Sequence, residues 1–265
     1  MSNSTLNIIK IGGNVIDDDI QLENFLEKFA AVPGKKILVH GGGKIATRIA
    51  AALNIEAKMV DGRRITDADM LDVATMVYAG LTNKKLVATL QKYQCDAVGL
   101  SGADANVIKA VRRPVRDIDY GFVGDILADS VNSLAIKKFL DAGFTPIFSA
   151  ITHNGNGQLL NTNADTIASA LATALSQHYE TSLIYCFEKN GVLYDVTNEQ
   201  SVIETITAAQ FEQYKENGVI SDGMIPKLQN AFDAINKGVK SVYIGNAANL
   251  HLFQQYKFGT CLVNK

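Results

Sequence analysis

The sequence predicts an α/β fold, a largely parallel sheet covered by helices on both faces, and two observations carry that prediction. Apolar runs of strand length recur along the chain with helical segments between them, the alternation expected where a crossover helix joins each pair of parallel strands. Two runs near the N-terminus, Leu6-Asn-Ile-Ile-Lys-Ile-Gly-Gly13 and Ile37-Leu-Val-His-Gly-Gly-Gly43, stop at glycines. Glycine there lets a strand pass into a tight turn, and the second turn leads straight into a helical pattern at Lys44.

In chain order, strands are expected at Ile8 to Ile11, Ile37 to Val39, Ala97 to Leu100, Pro146 to Ser149, Leu183 to Phe187 and Val242 to Gly245. Each is a short apolar run bounded by turn residues. Helix starts are marked by capping patterns. Thr66-Asp-Ala-Asp69 and Thr207-Ala-Ala-Gln210 have the spacing of capping boxes, and Asn163 is placed to cap Ala164 to Leu175. Segments Val60 to Ile65, Ile108 to Val111 and Gly121 to Ile126 are short, β-rich and punctuated by turns, which predicts hairpins forming a lid over one end of the sheet. The turn-rich Asn154-Gly-Asn-Gly157 is the expected hinge between an N-terminal lobe, residues 1–153, and a C-terminal lobe, residues 154–265, sharing one sheet.

The chain has 265 residues, 47% of them hydrophobic, enough for a sizeable core. Its formal net charge of −2 gives no general reason to expect nucleic acid or an anionic membrane as partner, so any cationic chemistry is local. Cys95, Cys186 and Cys261 are widely separated and form no Cys-x-x-Cys pair, which argues against a disulfide framework or a zinc site. No run approaches the roughly 18 apolar residues of a membrane span, and the N-terminus shows no signal-peptide pattern. A cytoplasmic protein is the expectation.

The two glycine turns read together as a phosphate grip. Glycines allow close approach to an anion, amides of a helix N-terminus point at it, and Lys10 adds a full charge beside the first turn. Nothing reads Gly-x-x-x-x-Gly-Lys-[Ser/Thr], so this is not a P-loop. Three later stretches are equally unusual: Asp61-Gly-Arg-Arg-Ile-Thr66, Leu160-Asn-Thr-Asn-Ala-Asp165 and Ser221-Asp-Gly-Met-Ile-Pro-Lys227. With Ala97-Val-Gly-Leu-Ser-Gly102 and Tyr120-Gly-Phe-Val-Gly-Asp125, this ordered set resembles the amino acid kinase family, and within it the acetylglutamate kinase branch. The similarity runs from Ile8 to the C-terminus.

That resemblance implies a three-layer αβα sandwich of the carbamate kinase-like type. It further implies ATP-dependent phosphorylation of the γ-carboxylate of N-acetyl-L-glutamate to an acyl phosphate, the second step of arginine biosynthesis. A carboxylate with an ordinary pKa near 4.3 is already ionised at neutral pH, so such a reaction needs no general base. Its obstacle is bringing one anion against another, and prearranged charges and amides are the remedy. The resemblance assigns Lys10 and Lys227 to the transferring phosphoryl, with amides of Gly13, Gly42 and Gly43 around it, Gly12 and Gly13 at the ATP, and Asp165 as acidic organiser. It gives Arg64 the α-carboxylate, which its planar fork matches, and Asn161 the carboxylate or N-acyl amide. Nucleotide contacts fall to Glu188, Gly191, Val192, Leu193, Ile220 and Ser221, although Phe187-Glu-Lys-Asn-Gly191-Val departs from the family's usual aspartate pattern. Mg2+ would arrive with ATP, with no protein metal site. A homodimer without the N-terminal extension of arginine-inhibited relatives is implied, so arginine feedback is not expected.

Arg63 is a second departure, since many relatives carry an apolar residue there. Turned toward the acyl pocket, it suits an N-succinyl group; turned to solvent, it is an ordinary surface charge. From a different class, a catalytically dead sensor of ATP and an amino acid would bind both ligands and release no ADP, but it has no need of Lys10, Asp165 and Lys227. His40 invites a catalytic role beside its glycine turn, yet with no proton to transfer a structural hydrogen bond is the better reading. His153, His178 and His251 have no metal-ligand spacing and are expected at the surface. Cys186 is expected in the core.

Overall fold

The computed structural model describes residues 4–60, 62–220, 224–255 and 257–264. Its elements begin with β1 (Thr5–Ile11), α1 (Gly13–Ile16), α2 (Asp19–Ala31), β2 (Lys35–His40) and α3 (Gly43–Ala52). The hairpin β3 (Met59–Val60) and β4 (Arg63–Arg64) follows, then α4 (Ala68–Thr75), a wider π-type helical stretch at Met76–Thr82, and α5 (Asn83–Lys92). Next come β5 (Ala97–Leu100), β6 (Val111–Arg112), β7 (Gly124–Asp125), α6 (Ser133–Asp141), β8 (Thr145–Ser149), β9 (Ile151–His153), β10 (Leu159–Asn161) and α7 (Ala164–Leu175). The chain closes with β11 (Glu180–Phe187), β12 (Thr205–Thr207), α8 (Ala208–Glu216), α9 (Ile225–Asn236), β13 (Ser241–Asn246) and β14 (Thr260–Val263). Among the described residues no helix is long and apolar enough to cross a membrane.

Contacts divide the chain into two units, one of residues 1–37 with 168–265 and one of residues 38–167. In the first, β1 pairs in parallel with β11, and β11 with β13, while β14 runs antiparallel to β13 and parallel to β12. The register Lys10↔Tyr185 and Ile11↔Cys186 sets the ends of β1 and β11 side by side. Leu6, Ile8, Ile9, Ile11, Leu183, Ile184, Val242 and Leu262 are fully buried, and Cys186 is buried among them. Helix α2 begins where Asp18 accepts from the amides of Ile20 and Gln21, and it buries Phe25, Leu26 and Phe29 on one face. The Thr207 to Gln210 capping box at α8 is present in both directions, as its spacing predicted.

In the second unit β8 lies between β2 and β5, parallel to both. Ile147 and Phe148 of β8 and Leu38 and Val39 of β2 are fully buried, and Leu86 and Leu90 of α5 present one apolar face at i, i+4 spacing. The α/β class and the mostly parallel strand pairing expected from the sequence are therefore both present. Two hairpins fall where they were expected, β3 with β4 and β6 with β7.

Two local expectations are corrected. Thr66 does not cap α4; Asp67 does, accepting from the Met70 amide, because Thr66 is held in a bridge with Gly121 instead. The stretch expected as a hinge, residues 154–157, closes the antiparallel hairpin of β9 and β10. Its glycines, Gly155 at φ 82° and Gly157 at φ 88°, supply the left-handed conformations of that turn. Asn163 does cap α7, accepting from the amides of Asp165 and Thr166 at 2.8 and 3.1 Å.

Candidate functional site

The second unit contains a cavity of about 250 Å³ that gathers the five residues expected to hold an acceptor: Gly42, Gly43, Arg63, Arg64 and Asn161. The turn of Gly41–Gly43 forms one wall because β2 ends at His40 and α3 begins at Gly43, leaving the first amides of the helix without intrahelical partners. Gly42 is required by close approach: a Cβ there would lie 2.9 Å from the Tyr78 ring. The hairpin of β3 and β4 supplies Met59, Gly62, Arg63 and Arg64. Alternation along β4 buries Arg64 and leaves Arg63 exposed.

Arg64 is only 9% exposed. Its Nη2 donates to the Gly43 carbonyl at 2.9 Å and to Thr47 Oγ1 at 2.8 Å, and Nη1 faces Met70 Sδ at 3.8 Å. All these partners are uncharged, so a guanidinium largely withdrawn from water faces the cavity with no carboxylate hydrogen-bonded to it among the described residues. Such a charge is costly unless an anion joins it. Burial raises the Tyr78 phenol, although the nearby Arg64 charge and a hydrogen bond from Arg64 pull the other way. Tyr78 is therefore a neutral hydroxyl.

Asn161 comes from β10, with Nδ2 donating to Thr66 Oγ1 at 3.0 Å and its backbone amide to the Phe122 carbonyl at 2.9 Å. The same Thr66 exchanges backbone bonds with Tyr120 and Phe122, so the segments that carry Arg64, Asn161 and Val123 are tied at one point. Arg113, which no sequence motif marks, also lines the cavity. Its guanidinium binds Asp125 at 2.6 and 3.0 Å and lies over the Tyr120 ring. Nothing in its local sequence signalled this; the pairing of β6 with β7 places it. Tyr78, Thr162 and Asn163 complete the polar lining and were likewise not anticipated.

The first unit holds a smaller cavity of about 130 Å³ that brings together Gly191, Val192, Leu193 and Ile220, four of the residues expected at a nucleotide. Lys189, Val196, Val219 and Met224 also line it. The apolar walls suit a flat heterocycle. Glu188 is not among its lining residues; its carbonyl accepts from Asn246 Nδ2 at 3.0 Å. Ser221 lies outside the described residues. Gly12 follows β1, its amide donating to the Cys186 carbonyl at 2.9 Å, and Gly13 opens α1 with open space where a side chain would stand. Lys10 is half-buried on β1. Lys227 is exposed in the first turn of α9, its Nζ 5.4 Å from the centre of the Phe187 ring. Asp165, half-buried, lies in the first turn of α7, where a carboxylate is favoured by the helix dipole.

His40 is fully buried and hydrogen-bonded to the Gly41 carbonyl, as a structural reading of it requires. Of the histidines expected at the surface, His251 is exposed, while His153 and His178 are half-buried; His153 is drawn in by its place at the end of β9. Burial pushes the Cys186 thiol well up, in keeping with core packing.

An α/β protein with glycine turns at two strand ends is the class that this geometry defines. The pattern of the amino acid kinase family matches residues 5–246, and the chain belongs to that family. Over 239 residues it is 54% identical to the acetylglutamate kinase of Bacteroides thetaiotaomicron, a match covering 90% of this chain and 92% of that protein. Among solved structures, smu.665 from Streptococcus mutans UA159 aligns with a TM-score of 0.75 at 27% identity, covering 98% of this chain and 99% of that one. Carbamate kinase from Giardia lamblia bound to AMP-PNP aligns with a TM-score of 0.69 at 15% identity over 99% of each chain, a likeness of fold.

Proposed function

We propose that this chain transfers the γ-phosphoryl of ATP to the γ-carboxylate of N-acetyl-L-glutamate, giving the acyl phosphate, a step of arginine biosynthesis. The observation that carries the reading is Arg64: buried, hydrogen-bonded among the described residues to neutral partners, and lining a cavity beside the Gly41–Gly43 turn. An amino acid's α-carboxylate supplies the anion it lacks, with the planar fork as recognition element. Asn161 then serves the N-acyl amide, and the amides of Gly42 and Gly43 serve the end of the side chain where phosphoryl arrives.

The nucleotide's base and ribose occupy the cavity of Gly191 to Leu193 and Ile220, and the family resemblance assigns Glu188 and Ser221 to the same nucleotide. Lys10, Lys227 and the amides of Gly12 and Gly13 neutralise charge on the phosphates, and Asp165 organises the cationic groups. Mg2+ enters bound to the phosphates, the mode its oxygen chemistry favours; the described residues gather no group of three or more His, Cys, Asp or Glu that would hold a metal. No proton has to be removed from the acceptor, which fits a site whose titratable lining, among the described residues, consists of arginines and one neutral tyrosine. A cytoplasmic homodimer completes the reading, and sedimentation of the purified protein tests the dimer.

One observation favours a second acceptor. Besides Arg64 the cavity is lined by a further arginine, Arg63, while the charge of Arg113 is already met by Asp125. An N-succinyl group brings one further negative charge than an N-acetyl group. The test of both readings is ADP release with hydroxylamine trapping of the acyl phosphate, run with each acceptor; binding of ATP and acceptor without ADP release would favour a sensor instead.

A further inference from the structure

We infer that His40 is a positioning residue for phosphoryl transfer: through the Gly41 carbonyl it fixes the direction of the Gly42 amide. The inference rests on the reading above, in which that amide faces the reacting group. His40 Nδ1 lies 2.8 Å from the Gly41 oxygen. The peptide unit is planar, so the C=O of Gly41 and the N–H of Gly42 move as one rigid plate. Between two glycines such a plate rotates at little steric cost. A hydrogen bond on its oxygen therefore decides where its N–H points.

The imidazole is itself held from behind. Asn83, 1% exposed, donates from Nδ2 to His40 Nε2 at 3.0 Å and to the Ile147 carbonyl at 2.8 Å. Its Oδ1 accepts from Lys84 Nζ at 3.2 Å, and Lys84 Nζ also donates to the Gly99 carbonyl at 3.2 Å. These partners leave one arrangement of protons. Ile147 takes a donor, Lys84 gives one, so Nδ2 faces His40; Nε2 must accept, and Nδ1 carries the hydrogen that Gly41 receives. Space has been cleared for the arrangement at Gly99, where a Cβ would lie 1.9 Å from Asn83 Oδ1. A chain of bonds thus runs from β5 through α5 to the glycine turn, within the second unit. Burial depresses the imidazole's basicity, and the Lys84 charge adds to this, so His40 holds the turn as a neutral group.

Two substitutions separate the halves of the imidazole. Asn places an amide nitrogen near the position of Nδ1, and Gln places its terminal group near Nε2. His40→Asn keeps the donor to Gly41 and gives up the link to Asn83; His40→Gln does the reverse. Each loses one buried hydrogen bond, so their stabilities fall by similar amounts. Positioning predicts that kcat drops about 30-fold or more in His40→Gln, with KM for the acceptor within about threefold of wild type, and that His40→Asn restores most of the rate; the loss stays below the 10²–10³ of deleting a donor outright. Amide 15N relaxation reads the same effect without turnover: the Gly42 order parameter falls from the rigid range near 0.85 toward 0.6 in His40→Gln and holds in His40→Asn. Asn83→Leu, which frees the imidazole from behind, serves if His40→Gln does not fold, and predicts the same loss of order at Gly42. Equal kcat in the two His40 variants, or an unchanged Gly42 order parameter in both, would overturn the inference. Wild-type protein that turns over no acceptor while Gly42 still loosens in His40→Gln would instead remove the functional reading and leave the mechanical link.

Discussion

Lowering the pH from 6.5 to 4 should remove about 3 kcal/mol of folding stability through His40 alone. Burial holds its folded-state pKa down to about 4, against an ordinary value of 6.5. In that interval the unfolded chain binds a proton that the folded chain refuses. Stability therefore rises with pH across the window, is fully present above 6.5, and is lost as the pH falls toward 4. Each pH unit inside the window is worth about 1.4 kcal/mol, which gives the figure of about 3. That is a large share of the roughly 5–15 kcal/mol of a typical domain. The groups facing the imidazole are Asn83, the Gly41 carbonyl and the Lys84 ammonium. Asp18 and Asp195, lowered by hydrogen bonds from Gln21 and Thr197 respectively, lose their contributions only below their ordinary value of 3.8. Urea unfolding of wild type and His40→Asn at half-unit steps from pH 7.5 to 4.5 measures the effect. The two stability curves should converge as pH falls, because the variant has no imidazole to protonate. Parallel curves would refute the reasoning.

Arg64→Met should reduce kcat/KM for the acceptor by about two orders of magnitude, the loss of about 2–3 kcal/mol of charge-assisted hydrogen bonding, while chemical unfolding shows a cost of no more than about 1 kcal/mol, because a buried cation with neutral partners is also removed. Gly121→Ala should destabilise the protein by about 2 kcal/mol or more: Gly121 has φ 72° and its Cβ would lie 2.2 Å from the Thr66 carbonyl oxygen. Because Thr66 also holds Asn161, its acceptor KM should rise as well, and steady-state kinetics on the folded fraction checks this. Arg63→Leu should shift the ratio of kcat/KM for N-succinyl over N-acetyl acceptor downward by about tenfold if Arg63 meets the acyl group, and should leave the ratio unchanged if it serves only the surface.

Strand ends were legible because an apolar run that stops at glycines has few other uses, and β5 appears with the limits its sequence shows. Cap chemistry was legible at Thr207, where nothing competes for the hydroxyl, and misleading at Thr66, whose backbone and side chain are taken by Gly121 and Asn161 across the fold. The three-residue strand β12 carries a single apolar residue, Ile206, and does not stand out from loops. Residues 154–157 read equally well as hinge and hairpin turn, since glycine signals a bend without saying what flanks it. At the cavity of the second unit the motif residues lie together, and their neighbours were not foreseen. Arg113 and Tyr78 reach the cavity through strand pairing and helix packing, which local patterns do not encode. The bond from His40 to Gly41 was readable as a structural role; its support by Asn83, Lys84 and Gly99 was not, because those residues stand on two other elements, α5 and β5.

The most direct test of the central claim is acyl phosphate formation, followed by ADP release and hydroxylamine trapping, with ATP and N-acetyl-L-glutamate, N-succinyl-L-glutamate or free L-glutamate at matched concentrations. The account predicts turnover with an N-acylated glutamate, little with free glutamate, and a large loss in Lys10→Met. Silence with all three acceptors from folded, ATP-binding protein would contradict it.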